Sequence, residues 1–207
     1  MNTTKKTSSH AQVRRLTVCA MLTAIIWLLT ISPIGFTLPF FGISMTFNHI
    51  PMIIGTLMEG LGVGCVLGAM FGLSSMYSAF TRPSYYSPLF QNPLISVVPR
   101  LLTAPITYFV YKGVKKMCPS KPVLAWGAAA IAGTLANTLF VLGSMAIYVK
   151  IDPSILGLEE SAVNGAVAVI WGLSVNCPFE CISSVIVSVA VMGALSKYQK
   201  GKRVLYN

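Results

Sequence analysis

The chain has 207 residues, 55% of them hydrophobic and 10% charged, with a formal net charge of +10 and a mean hydropathy of +0.73. So little charge, against roughly a quarter in soluble domains, excludes an ordinary soluble globular protein. The positive excess invites a nucleic-acid reading, but basic and aromatic residues are not interleaved as such a face requires, so no nucleic-acid partner is expected.

Twelve of the 15 Lys and Arg fall in three clusters: Lys5, Lys6, Arg14 and Arg15; Lys112, Lys115, Lys116 and Lys121; Lys197, Lys200, Lys202 and Arg203. Long stretches almost free of charge separate them. Cytoplasmic loops retain Lys and Arg while the hydrocarbon layer excludes them, so the pattern predicts an all-α integral membrane protein in the lipid bilayer. Residues 1–13 read as a cytoplasmic tail, 14–197 as the membrane domain and 198–207 as a basic cytoplasmic tail.

The first apolar run, 16–31, follows a basic start like a secretory signal, but no small-residue cleavage pattern follows it, which predicts an uncleaved span. The region 47–80 is long enough for one oversized helix or two short ones. Glu59 stands at its centre among Gly55, Gly60, Gly62 and Gly64, a glycine density that favours a turn. Two spans also keep all three basic clusters on one side. With 94–111, 123–148 and 163–195, six transmembrane helices follow, both termini cytoplasmic. The outer loops then hold two cations, Arg82 and Lys150.

At about 1.5 Å per residue, the second span (48–58) is too short to cross. Its outer end must start below the membrane surface, so the outer loop 33–46 is expected to descend into the protein as a lid. Asn48 is placed to cap this helix, with Pro51 in its first turn.

Counting from the cytoplasmic cations puts Arg100 roughly 18 Å up, Asn137 roughly 24 Å and Glu180 roughly 25 Å. Ser74, Ser75, Tyr77 and Ser78 reach similar heights on the third span. Polar groups from four helices thus meet in the outer half of the bilayer, which points to a pocket open to the outside. A charge at that depth costs at least about 2.5 kcal/mol, so Arg100 and Glu180 should face the bundle interior. They either pair with each other, or Arg100 takes an anionic or carbonyl group of a solute; both hold together if Glu180 orients Arg100. Pro178 lies between Asn176 and Glu180 and is expected to kink the sixth helix near Ser174.

His49, at the outer start of the second span, touches solute or is structural. Neither His49 nor His10 has metal-ligand spacing, and no metal site is expected. Trp126 and Tyr148 read as interface anchors; Trp171 is close enough to the pocket to stack on a solute; Tyr85 and Tyr86 form a rim or a belt. The five cysteines, with no CxxC pair, read as small buried apolar residues. Small residues at helix spacing, Ala20 with Ala24, Gly64 with Gly68 and Gly72, and Gly133 with Asn137, permit close helix approach within the chain or, for the alanines, to an outside partner.

These residues resemble the substrate-binding S components of energy-coupling factor (ECF) vitamin transporters, over nearly the whole chain from Arg14 to the basic tail. Ala20-x-x-x-Ala24 is similar to the motif with which that family contacts its coupling membrane subunit. The stretch His49-Ile50-Pro51-Met52-Ile53-Ile54-Gly55 with Gly60 and Gly64 is similar to the signature of its second and third helices, although Leu61 stands where a proline commonly follows the glycine. Asn92-Pro93, Pro99-Arg100-Leu101, Asn137-Thr138 and Asn176 with Glu180 most resemble the pantothenate-type branch, whose substrate has a carboxylate for Arg100.

The resemblance implies a multi-pass protein of a prokaryotic plasma membrane that captures a water-soluble vitamin and works with a coupling transmembrane subunit and two cytoplasmic ATPases. The chain has no Gly-rich phosphate loop ending in Lys-Ser or Lys-Thr, so no enzymatic activity and no cofactor of its own are expected. The expected substrate-binding residues are Arg100, Asn137, Glu180, Asn176, Trp171, Asn92, Tyr77, Ser78 and His49; the partner-coupling residues are Ala20 and Ala24. Two alternatives stay open. One is a stand-alone proton-coupled secondary transporter or facilitator with Glu180 and Glu59 as relays. The other is an S component for folate, riboflavin, a pyridoxine-like vitamin or a precursor. An intramembrane enzyme is harder to assemble with one histidine near the membrane.

Overall fold

The computed structural model describes residues 9–32 and 47–205, and every regular element among them is helical. In chain order these are α1 (Ser9–Ile31), α2 (His49–Glu59), α3 (Leu61–Thr81), α4 (Ser87–Phe90), α5 (Pro93–Ser96), α6 (Val98–Met117), α7 (Pro122–Ile151), α8 (Val163–Gly172) and α9 (Cys177–Leu205), with short 3-10 turns at Pro153–Leu156, Glu160–Ala162 and Leu173–Asn176. The expected lid, residues 33–46, lies outside the described residues.

Five stretches are long and apolar enough to cross a membrane: Gln12–Ile31, Leu61–Thr81, Pro93–Met117, Pro122–Ile151 and Glu160–Tyr198. The second expected span is α2, which with 11 residues rises only about 16 Å and does not cross by itself. It is the most enclosed rod of the bundle, with His49 through Leu57 all buried. A helix apolar on every side belongs in such a position, and α1, α3, α6, α7 and α9 all pack on it.

The turn after α2 is made at Gly60, whose φ of +88° lies where L side chains are rarely found. Just before it the Glu59 carboxylate, 2% exposed, receives Arg14 Nη2 at 2.9 Å and Arg15 Nε at 3.5 Å. This ties the start of α1 to the α2–α3 turn. In α1, 11% of the residues in the apolar stretch are buried, against 50% in α3 and α7.

Apolar side chains gain little by leaving lipid for a protein interior, so small residues that let backbones touch set the packing. A Cβ on Gly68 would lie 2.6 Å from the Arg100 carbonyl oxygen, and one on Gly72 would lie 2.6 Å from Val97 Cα. The glycine row of α3 therefore seats the α5–α6 junction, and its partner is inside this chain. Gly133 does the same between α7 and α6, where a Cβ would meet Thr107 Oγ1 at 2.5 Å.

Two apolar clusters result. One, toward the basic end, holds Ile26, Met52, Ile53, Leu57, Leu67, Phe71 and Trp126. The other holds Leu89, Ile95, Val141, Leu142, Met145 and Ile170. Trp126 is 7% exposed and belongs to the first core, not to an interface belt as expected. Ala125, Ala129 and Ala130 around it are too small to fill that space, and the indole does so.

Two expected continuous spans are broken. The fourth is split into α5 and α6 just before Pro99, and the sixth into α8, the Leu173–Asn176 turn and α9, with Pro178 the second residue of α9. Pro178 thus starts a helix instead of kinking one. Its fixed φ suits the first turn, and its missing N–H leaves Ser174 without the donor a continuous helix needs.

Candidate functional site

Both broken spans face one cavity of about 630 Å³, within the roughly 300–1,000 Å³ of small-molecule sites. It lies between the two apolar clusters, bordered by Phe71 of one and by Val141 and Leu142 of the other. Arg82, Ser84, Tyr86 and Ser87, on the segment joining α3 to α4 and the start of α4, form its edge. Burial pushes the Tyr86 phenol up, and Tyr85 beside it adds to the shift, so Tyr86 stays a neutral donor there.

Arg100 is set by its neighbour in sequence. Pro99 has no N–H for the carbonyl four residues earlier, that of Ile95. Arg100 Nη1 fills the gap, donating to the Ile95 oxygen at 2.8 Å and to the Ser96 oxygen at 2.9 Å. The guanidinium carbon also lies 5.2 Å from the Phe71 ring centroid and 5.3 Å from that of Phe90, within reach of a cation–π attraction to both. The side chain is 5% exposed, Nε has no hydrogen-bond partner, and no ion pair to Arg100 forms among the described residues. The expected alternative of a plain Arg100–Glu180 ion pair is therefore not what holds this residue.

Asn48 does not cap α2 with its side chain as expected. Its Nδ2 donates to Thr30 Oγ1 at 2.9 Å, and Thr30 Oγ1 in turn lies 3.1 Å from Ser74 Oγ, a buried relay joining α2, α1 and α3. That fixes the amide at the cavity wall, with Oδ1 lacking a partner among the described residues. Asn137 Oδ1 is a third buried polar atom on the same wall without a partner among the described residues. Buried polar atoms without partners are uncommon and costly. Three such atoms border one hollow, so a polar solute there can complete their hydrogen bonding.

The family model for the ECF transporter substrate-specific component matches residues 14–192. The pantothenic acid transporter PanT of Lactococcus lactis subsp. cremoris (strain MG1363) is 33% identical over 172 residues, 76% of this chain and 80% of that protein. The chain belongs to the substrate-specific components of ECF transporters. An S component with five apolar spans is a multi-pass protein of the plasma membrane.

Of the residues expected to touch substrate in this S component, Arg100, Asn137, Asn176, Glu180 and Ser78 line the cavity together. Four others do not line it. Tyr77 packs toward α1, its ring 5.5 Å from that of Trp27. Trp171 is 41% exposed, and its neighbour Gly172 lines the wall instead. Asn92 accepts the Leu94 N–H at 3.0 Å and caps α5. His49 is wholly buried in the bundle. Phe71, Phe90 and Arg82 are wall residues that sequence reading passed over: aromatic side chains in an apolar run carry no polar signal, and Arg82 read as a loop charge. Ala20 and Ala24, the residues expected to meet a coupling subunit, are both exposed on α1, on a stripe with Leu16 and Leu28.

Proposed function

We propose that this S component captures pantothenate in the cavity and passes it to a coupling membrane subunit driven by two cytoplasmic ATPases. The observation that carries the reading is Arg100: a buried guanidinium, fixed by backbone carbonyls and two aromatic faces, that no carboxylate of the described chain neutralises. A solute carboxylate is the natural complement, by a charge-assisted hydrogen bond. The wall carries two arginines, Arg82 and Arg100, against one carboxyl side chain, Glu180, which favours an anionic solute over neutral riboflavin or pyridoxine. Asn48, Asn137 and Asn176 supply donors and acceptors for the amide and hydroxyl groups of pantothenate, with Ser78 and Glu180 beside them. The PanT relative supports the same solute.

In this reading α1 and α3 both start at the cytoplasmic end, where Arg14 and Arg15 meet Glu59, and both ends of the chain lie in the cytoplasm. The exposed Ala20–Ala24 stripe of the scarcely buried α1 suits close approach of a partner helix. Uptake of radiolabelled pantothenate into proteoliposomes holding the full complex tests the coupling. Ala20→Trp is expected to leave pantothenate binding intact and to abolish ATP-driven uptake; unchanged uptake contradicts the assignment.

The rival reading, a proton-coupled carrier, is weakened at Glu59, whose carboxylate is already engaged by Arg14 and Arg15. It predicts uptake that needs no ATP and fails when the proton gradient collapses; the S-component reading predicts the reverse.

A further inference from the structure

Cys177 and Cys181 carry chemistry that solute capture does not use. Both are free thiols one turn apart at the start of α9, their Sγ atoms 4.0 Å from each other. Cys177 is part of the cavity wall beside Asn176 and Glu180. We propose that this pair is a dithiol site for trivalent arsenic compounds, entered through the cavity.

Distances separate this chemistry from disulfide formation. Side chains one helical turn apart keep their Cβ atoms about 5–6 Å apart, whereas a disulfide draws them to about 3.5–4.5 Å with an S–S bond of about 2.05 Å. Oxidation would therefore have to unwind the first turn of α9. One soft atom bonded to both sulfurs spans the gap by side-chain rotation alone, and thiolate sulfur selects soft partners. No electrons are needed. With an organic arsenic(III) oxide, both S–H bonds and the As=O bond break, two As–S bonds form, and the oxygen leaves with the two protons as water. Leu173 and Val175 make the adjoining wall apolar, so a neutral arsenical enters at less desolvation cost than a charged thiol reagent. An adduct on Cys177 occupies space beside Asn176 and Glu180, where the solute sits if the proposed function holds.

Intact-mass analysis tests the site directly. Purified protein is treated with stoichiometric phenylarsine oxide and then with excess 2-mercaptoethanol. Wild type is expected to retain one adduct, released by 2,3-dimercaptopropanol, while Cys181→Ser and Cys177→Ser retain none, because a single As–S bond exchanges with the monothiol. Wild type without a retained adduct, or Cys181→Ser retaining the same one, overturns the proposal. Saturating pantothenate is expected to slow adduct formation at least tenfold. An unchanged rate with pantothenate shown by calorimetry to be bound overturns entry through the cavity. If calorimetry detects no pantothenate binding, the proposed solute falls and the dithiol site stands or falls on the mass result alone.

Discussion

At the basic end of the bundle the Glu59 carboxylate is buried against two arginines, whereas in the cavity the Arg100 guanidinium is buried against carbonyl oxygens and aromatic rings. The first arrangement is electrically complete and closes the end where α1, α2 and α3 meet. The second leaves a positive charge beside a hollow of about 630 Å³. The difference teaches how one fold can separate support from capture: the charges at the bundle's end are matched within the chain, and the charge beside the cavity, proposed to meet the solute, is fixed in place but not neutralised.

The comparison breaks most visibly if the matched end is unmatched. Replacing Arg14 and Arg15 together by Ala strands a carboxylate that is 2% exposed and is expected to cost about 3–5 kcal/mol, read as a lowered unfolding temperature in detergent. Glu59→Gln leaves behind two arginines that are 62% exposed and rehydrate, so its cost should be only about 1 kcal/mol or less. Equal losses in the two variants would contradict the asymmetry. Gly72→Ala tests the support of Arg100 without touching it: the new Cβ would lie 2.8 Å from the Ser96 oxygen that receives Nη1. It is expected to cost about 1–3 kcal/mol in stability and to weaken pantothenate binding as well. Asn92→Ala gives the smallest effect, about 1 kcal/mol of stability from the lost α5 cap with solute affinity unchanged. A large loss of affinity there would return Asn92 to the solute.

Much of this architecture was legible because a membrane restricts what a sequence can do. Charge clusters, apolar run lengths and the glycines around Glu59 led to the short α2 and the Gly60 turn, and counting 1.5 Å per residue brought Arg100, Asn137 and Glu180 to one level. What stayed hidden depends on single atoms. Hydropathy does not register the missing N–H of Pro99, so the fourth span read as continuous and the seat of Arg100 at the end of α5 stayed hidden, whereas Pro178 was legible as a kink and the structure makes it a full break. Trp126 has the composition of a belt residue at a helix end; only the alanines around it show that it fills a core. Asn48 has the sequence of a cap, yet its side chain turns to Thr30 because a buried hydroxyl lies within 2.9 Å.

The account rests on Arg100 meeting a solute carboxylate, and calorimetric titration of pantothenate into purified wild type and Arg100→Ala measures that contact directly. Wild type should bind, and the variant should bind about 10- to 200-fold more weakly, as expected for the loss of roughly 1.5–3 kcal/mol of a hydrogen bond to a charged group. Equal affinity in the two proteins would contradict it.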